Sequence, residues 1–407
     1  MYRSNKLLTR DFLVLNGLVF LGFCNIAVFF HFNRYLGTIG IDSDWIGFAI
    51  GIFSLPILVL RPVISPLLHP GNAKRWMAIS ASLLIGSLLL YHVARDVWSV
   101  TCVRLIHGAG YVIFTTAAVS KLVPSIPESR SGQAFGVLSV ITILPYALIP
   151  PILEPLQRLF GGFDRVLDLT ALATVLSLPL LALLKDDARL QSSRSQTALK
   201  LTDIRENLRD YRIWILFAVS LLLWTSFTPV FYFVEAYSHG LRVENAGWFF
   251  TISTFTEIAV RLSGGRLFDR GDKPKILAGS FLFLLLAYLA LVRASNPLEL
   301  YALALAFGLG WGVAMPVLNG LIFDLSSPRF RALNTNLSYE MFQGGFFLGP
   351  IAGGFVLRTL GYGALFVSCG LCAALAAALL VPLFGRPPEA DVVCGDLSKP
   401  QRDGGKS

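Results

Sequence analysis

Apolar stretches near the roughly 20 residues that a helix needs to cross a bilayer recur along the whole chain, separated by polar segments. They run Phe12–Asn33, Trp45–Leu67, Trp76–Ala94, Trp98–Ser120, Gln133–Leu156 and Val166–Leu184, then Ile213–Tyr237, Ala246–Gly265, Ile276–Val292, Leu298–Phe323, Ala332–Leu357 and Gly363–Phe384. A longer polar segment, Lys185–Arg212, separates the sixth from the seventh. The runs are continuous rather than alternating, which predicts spanning helices and argues against a barrel. The expected fold is therefore an all-α polytopic membrane protein of twelve transmembrane helices. They form two six-helix bundles, 1–184 and 213–385, joined by a cytoplasmic linker, 185–212, and followed by a disordered tail, 386–407.

Composition narrows the class further. Of 407 residues, 55% are hydrophobic and 14% charged, whereas an ordinary soluble protein carries about 25% charged residues. A soluble enzyme, a disordered chain and a nucleic-acid binder are all excluded as good fits. The net charge of +9 is spread over short connections rather than gathered in one patch. With the N-terminus inside, cytoplasmic segments hold 24 of the 34 Lys and Arg and the outer side seven, so both termini are expected in the cytoplasm. The first apolar stretch is too long for the core of a cleavable signal peptide. Cys369 and Cys372 lie inside an apolar helix and read as small packing residues.

The two halves repeat at an offset of about 200 residues, in residue identity as well as hydropathy. Arg61 matches Arg261, Gly108 and Gly110 match Gly308 and Gly310, and Pro150 matches Pro350. Duplicated six-helix units joined by a polar linker are the arrangement secondary transporters use for alternating access.

Three motifs sit on this frame. Gly265-Arg-Leu-Phe-Asp-Arg270, followed by Lys273 and Lys275, resembles the GxLaDRxGRK loop of the major facilitator superfamily. Arg104-Leu-Ile-His-Gly108-Ala-Gly110 resembles its RxxxGxG motif. Gly345-Phe-Phe-Leu-Gly349-Pro350-Ile-Ala-Gly353-Gly354 resembles the GxxxGPxxGG antiporter motif, although it falls in span 11 rather than span 5. The likeness extends over nearly the whole chain and points to the drug and sugar efflux branch. It implies that Gly265, Asp269 and Arg270, with Asp324 as acceptor, form a gating latch at the cytoplasmic mouth. It also implies that Arg104 serves proton coupling, with His107 beside it as a titrating neighbour. The matching loop between spans 2 and 3 has decayed: Ser65, His69 and Pro70 stand where the motif has Gly, Asp and Arg. Gly345, Gly349 and Pro350 are equally well read as plain helix-packing positions.

Charges inside spans are costly, so each calls for a partner or a cavity. Glu257 and Arg261, four apart on one face, form an intramembrane ion pair serving as a strut or as part of the path. Glu340 has no basic residue within reach in its own span, which makes it a proton-site candidate. Aromatics cluster in spans 1 and 7; Asn25, Trp224 and Tyr232 are the pocket candidates, while Tyr35 and Tyr237 read as interfacial belt residues.

No phosphate-cradling loop, HExxH, GxSxG or metal-spaced His/Cys cluster occurs, so neither cofactor nor metal nor enzymatic activity is expected. The reading is a monomeric, proton-coupled exporter of a small amphipathic organic compound in the bacterial inner membrane, whose partners are substrate, protons and lipid. An uptake permease and a transport-silent sensor or lipid-handling protein are the alternatives.

Overall fold

In the computed structural model, residues 8–123, 126, 130–184, 207, 209–327 and 329–385 are described, with backbone alone at 131, 132, 135, 265–270 and 332. Among them the chain is helical throughout. The spans are Arg10–Thr38, Ser43–Leu67, Ala73–Leu90, Val97–Leu122, Ser131–Phe160 and Phe163–Ala182 in the first bundle. Tyr211–Gly240, Gly247–Arg270, Lys273–Leu291 and Pro297–Leu325 follow in the second. The helix Arg331–Leu380 holds spans 11 and 12 together. At 1.5 Å per residue a straight helix of 50 residues would be about 75 Å long, more than twice the bilayer core. Gly361 breaks it, with φ 81° and ψ −178°, a conformation open only to glycine. Among the described residues, ten helices are long and apolar enough to cross a membrane by themselves. The two further crossings are span 8, weakened by Glu257 and Arg261, and the second half of the Gly361-broken helix.

Short connections are held by side-chain caps. Asp42, Asp96, Asp210, Asp272 and Asn296 each accept a backbone N–H at the start of a span. At Asp96 the Ser99 hydroxyl also donates, at 2.6 Å, and holds that carboxyl below its ordinary range. Leu262, Leu286 and Leu298 stand exposed on the outside of the bundles, as a lipid-facing surface requires.

The repeat read from sequence is a repeat of contacts. A Cβ on Gly108 would strike the carbonyl of Phe53, and one on Gly308 that of Ser253, 200 residues on. Gly110 lies against Leu84, and Gly310 against Leu284. Between the bundles, Gly47 of span 2 abuts the Pro350 carbonyl of span 11; Gly247 of span 8 abuts the Pro150–Pro151 bond of span 5. Glycine is needed at 47 and 247 because two backbones meet there. The bundles thus join along two matched seams, 2 against 11 and 8 against 5, tightest toward the end away from the termini (the distal end). Most of the linker (185–206 and 208) and the whole tail (386–407) lie outside the described residues. Asn207 is described, and its side-chain amide bonds with that of Asn334 at 2.6 and 3.1 Å.

Candidate functional site: the seam between the bundles

Span 2 is not one helix. The helical hydrogen-bond pattern lapses at Ile52 and Phe53, whose backbone angles stay helical, just before Pro56, which has no N–H to offer Ile52 and crowds its carbonyl. Arg104 of span 4 reaches this break, with Nε donating to the Ala49 carbonyl at 3.3 Å and Nη2 to the Ile50 carbonyl at 2.8 Å. Its guanidinium carbon lies 4.6, 4.9 and 4.6 Å from the ring centres of Phe29, Phe32 and Phe53. The side chain is 1% exposed, and among the described residues no carboxylate neutralises it. Carbonyl dipoles and aromatic faces carry the charge instead. Neither Pro56 nor Arg104 has a counterpart in the second half, where Thr256 and Ala304 occupy those places and span 8 is unbroken. Tyr91 and Tyr232 lie close enough to Arg104 to feel its charge, and Tyr232 belongs to the opposite bundle.

His107 is wholly buried against Phe29, Phe53 and Tyr91, and neither ring nitrogen has a hydrogen-bond partner. Proximity to Arg104 is as expected; an exchange of protons with it has no hydrogen-bonded route in this conformation.

Glu340 is not isolated. Arg61 of span 2 crosses the seam and brings Nε to 3.7 Å from its Oε1, while Oε2 is buried without a hydrogen-bond partner. At the other seam Glu257 and Arg261 form the expected ion pair, and Arg261 also donates to the Ser139 hydroxyl of span 5 at 2.7 Å. The matched arginines 61 and 261 therefore both reach into the opposite bundle, which an assignment as packing struts within one bundle does not capture. A signal was present in the sequence: Glu340 lacked a partner in its own span, and Arg61 lacked an acid in its own.

The aromatic residues of span 7 divide between two settings. Trp224 packs edge-on against Phe342 (4.4 Å between ring centres) and lies 5.0 Å from Trp311, forming a cluster with Phe227 and Phe346. Tyr232 instead turns toward the seam. Phe30 and Tyr146 of the first bundle meet Phe231 there at 5.7 and 5.3 Å. Asn25 spends its amide N–H groups inside the first bundle, on the Leu21 carbonyl and the Thr174 hydroxyl, and its Oδ1 is buried without a partner. Tyr35 and Tyr237 are not belt residues. Tyr35 is buried and donates to the Tyr91 carbonyl; Tyr237 donates to that of Leu291 at 2.7 Å. Both hydroxyls satisfy carbonyls at helix ends, a demand invisible in sequence.

In the second-half loop, Asp324 pairs with Lys273 at 2.6 Å; the expected pairing with Arg270 falls on a side chain outside the described residues. The side chains of Gly265, Asp269 and Arg270 lie outside the described residues. Gly345 and Gly349 press span 11 onto span 7: a Cβ on the first would meet Trp224 and one on the second Thr228, whose hydroxyl donates to the Gly345 carbonyl at 3.1 Å. Pro350 turns its carbonyl to Gly47. This motif builds packing surfaces on both sides of span 11.

Two six-helix bundles related by an internal repeat, meeting along a seam that holds buried charges, define a multi-pass membrane transporter. Comparison with known sequences makes this specific. The chain belongs to the Major Facilitator Superfamily, whose profile matches residues 12–245 and again 213–401. It is 24% identical over 356 residues to the multi-drug resistance efflux pump PmrA of Streptococcus pneumoniae, covering 84% of this chain and 87% of that one. It is 23% identical over 346 residues to the multidrug resistance protein MdtG of Proteus mirabilis, covering 82% and 85%. Among solved structures it is similar to the nucleoside transporter NupG, with a TM-score of 0.76 at 17% identity over 93% of this chain and 100% of that one.

Proposed function

We propose that the chain is a proton-driven exporter of a small, largely apolar organic compound, seated in a bacterial inner membrane with both termini in the cytoplasm. The observation that carries the coupling is the Arg61–Glu340 pair across the 2–11 seam. As a carboxylate, Glu340 attracts the opposite bundle; once protonated it does not, so a proton changes the energy of separating the bundles. Arg104 has a matching part. It holds the break in span 2 that sets the direction of the Arg61-bearing segment, and it faces Tyr232 across the bundles. Asp269, Arg270, Lys273 and Asp324 serve the gate at the end that carries the termini. Export is supported by the efflux relatives and by the aromatic cluster around Trp224, which suits planar or amphipathic substrates.

A pH gradient imposed on proteoliposomes tests this directly. Efflux or uptake of fluorescent amphipathic dyes should follow the gradient in the native chain and lose its pH dependence in Glu340→Gln. Gradient-driven flux that survives unchanged in that variant removes Glu340 from the mechanism, and no flux for a broad panel favours a transport-silent role. Uptake is the second reading. A 93-residue stretch is 34% identical to the 3-(3-hydroxy-phenyl)propionate transporter of Escherichia coli, so aromatic acids belong in the panel.

A further inference from the structure

Midway along the spans, the internal repeat sets two different walls against each other. On the second-bundle side Trp224, Trp311, Phe342 and Phe346 pack ring to ring, the other three centres lying 4.4 to 5.8 Å from that of Trp224. Their matches, 200 residues earlier, are Cys24, Tyr111, Thr142 and Tyr146. One wall is thus solid aromatic surface. The other has a thiol for an indole and a small hydroxyl side chain for a phenyl, and it carries two phenols. The indole N–H of Trp311 has no hydrogen-bond partner, but it lies beside the Tyr288 hydroxyl within the second bundle. Polar groups that can read a ligand are therefore concentrated on the first-bundle wall, which is also the one with the smaller side chains.

Tyr146 stands apart on that wall. It sits midway along Ser131–Phe160, and its ring meets Phe231 of the opposite bundle edge-on at 5.3 Å. The residue is half-buried, as are Cys24 and Thr142, yet its hydroxyl is buried and has no hydrogen-bond partner. Buried phenols elsewhere in the fold do find one: Tyr35 and Tyr237 donate to carbonyls, and Tyr288 donates to the Ser226 hydroxyl. Tyr91, the other orphaned phenol, lies against Arg104. Thr142, one turn before Tyr146, gives its hydroxyl to the Ser139 carbonyl at 2.9 Å. The hydroxyls of Tyr111 in span 4 and Tyr232 in span 7 are near enough to Tyr146 to act on it electrostatically. A buried hydroxyl left without a partner is destabilising. Phenylalanine would avoid that cost, and Phe346 fills the matching place in the second bundle without a hydroxyl. Packing alone does not ask for tyrosine at 146.

We infer that the Tyr146 hydroxyl selects the substrate, donating a hydrogen bond to an oxygen on an aromatic compound held between the two walls, where Cys24 and Thr142 leave room. The ligand class is an uncharged aromatic ketone, ester or ether rather than a bare aromatic hydrocarbon. Ring surface meets the aromatic wall, and one neutral donor suits one neutral acceptor. A site built around a buried hydroxyl turns away an analogue without the acceptor, because its own group is then left unpaired. This substrate class rests on the transport reading above for its meaning in the cell, but binding needs no gradient and can be followed without one.

The full chain in nanodiscs is titrated with prodan, a fluorescent aromatic ketone whose emission moves to longer wavelength when its carbonyl accepts a hydrogen bond. Dye excited through the protein's tryptophans and displaced by excess acetylnaphthalene counts as bound at the site. Displacement by acetylnaphthalene is compared with displacement by isopropylnaphthalene of the same substitution, which has a methyl group in place of the oxygen. The native chain should prefer the ketone. Tyr146→Phe should weaken the ketone about tenfold, leave the hydrocarbon unchanged, move the bound dye to shorter wavelength and melt no lower than the native chain. Thr142→Phe, which copies the second-bundle wall, should exclude both compounds. Equal binding of the two compounds by the native chain, no displaceable dye, or a Tyr146→Phe that keeps the native preference and emission would overturn the inference. So would a Tyr146→Phe that melts lower and weakens both compounds alike, the mark of a purely structural tyrosine. Selective binding without gradient-driven flux would count against the export reading and not against this site.

Discussion

Replacing Arg104 by lysine keeps the charge and removes the fork that bridges two successive carbonyls while lying among three phenyl rings. An ammonium is a compact, strongly hydrated point charge and fits neither role. Arg104→Lys is therefore expected to lose gradient-driven flux nearly as completely as Arg104→Ala, a result read in the same proteoliposomes. If Lys restores flux that Ala abolishes, charge alone is what the site needs and the span 2 break is incidental. At this scale the sequence marked Arg104 as a residue that must be housed, because an uncompensated intramembrane cation is expensive. Which atoms house it was hidden, since Ala49 and Ile50 contribute only backbone, and backbone carbonyls carry no residue-type signal.

The loops after spans 2 and 8 occupy matching places and have diverged. In the second half Lys273 reaches Asp324 on the next span but one of that bundle; in the first, His69 bonds through its backbone, its N–H donating to the Asn72 side chain and its carbonyl accepting from Asn72 and Ala73. Asp324→Asn and Asp269→Asn should each slow turnover, whereas His69→Asn should be near neutral; initial flux rates under saturating gradient make the comparison. Exchanging the pair, Lys273→Asp with Asp324→Lys, should recover part of what Asp324→Asn loses, as expected of a direct ion pair. Equal effects at 69 and 269 would mean that the second-half loop is not the working latch. The motif was legible as a motif. That Lys273 reaches Asp324 was not, because several basic residues follow one another in the loop and their spacing does not say which of them faces the acid.

Across the whole molecule, the paired seams make a symmetric demand. Gly47→Leu and Gly247→Leu would each drive a side chain into the backbone of the facing helix, an overpacking that ordinarily costs about 1–3 kcal/mol. Because only distal closure brings these backbones together, both changes should favour the open distal end and inhibit turnover to a similar degree. Labelled cysteines at positions 38 and 240 would report the opening. A strong effect at one glycine alone would show that the two seams are unequal partners in closure.

Helix number, the duplicated bundles and the cost of each buried charge follow from composition and periodicity, because the bilayer solvent imposes the same length and polarity limits on every span. The offset of 200 residues was enough to pair Gly108 with Gly308 and Arg61 with Arg261, but not to say what they touch. Arg61 with Glu340, Arg34 with Glu235, and Arg104 with the carbonyls of a broken helix join positions more than 50 residues apart. Such pairings depend on how twelve helices rotate and lean on one another. That is settled by the fit of glycine notches and proline breaks across the seams, and hydropathy contains no record of it.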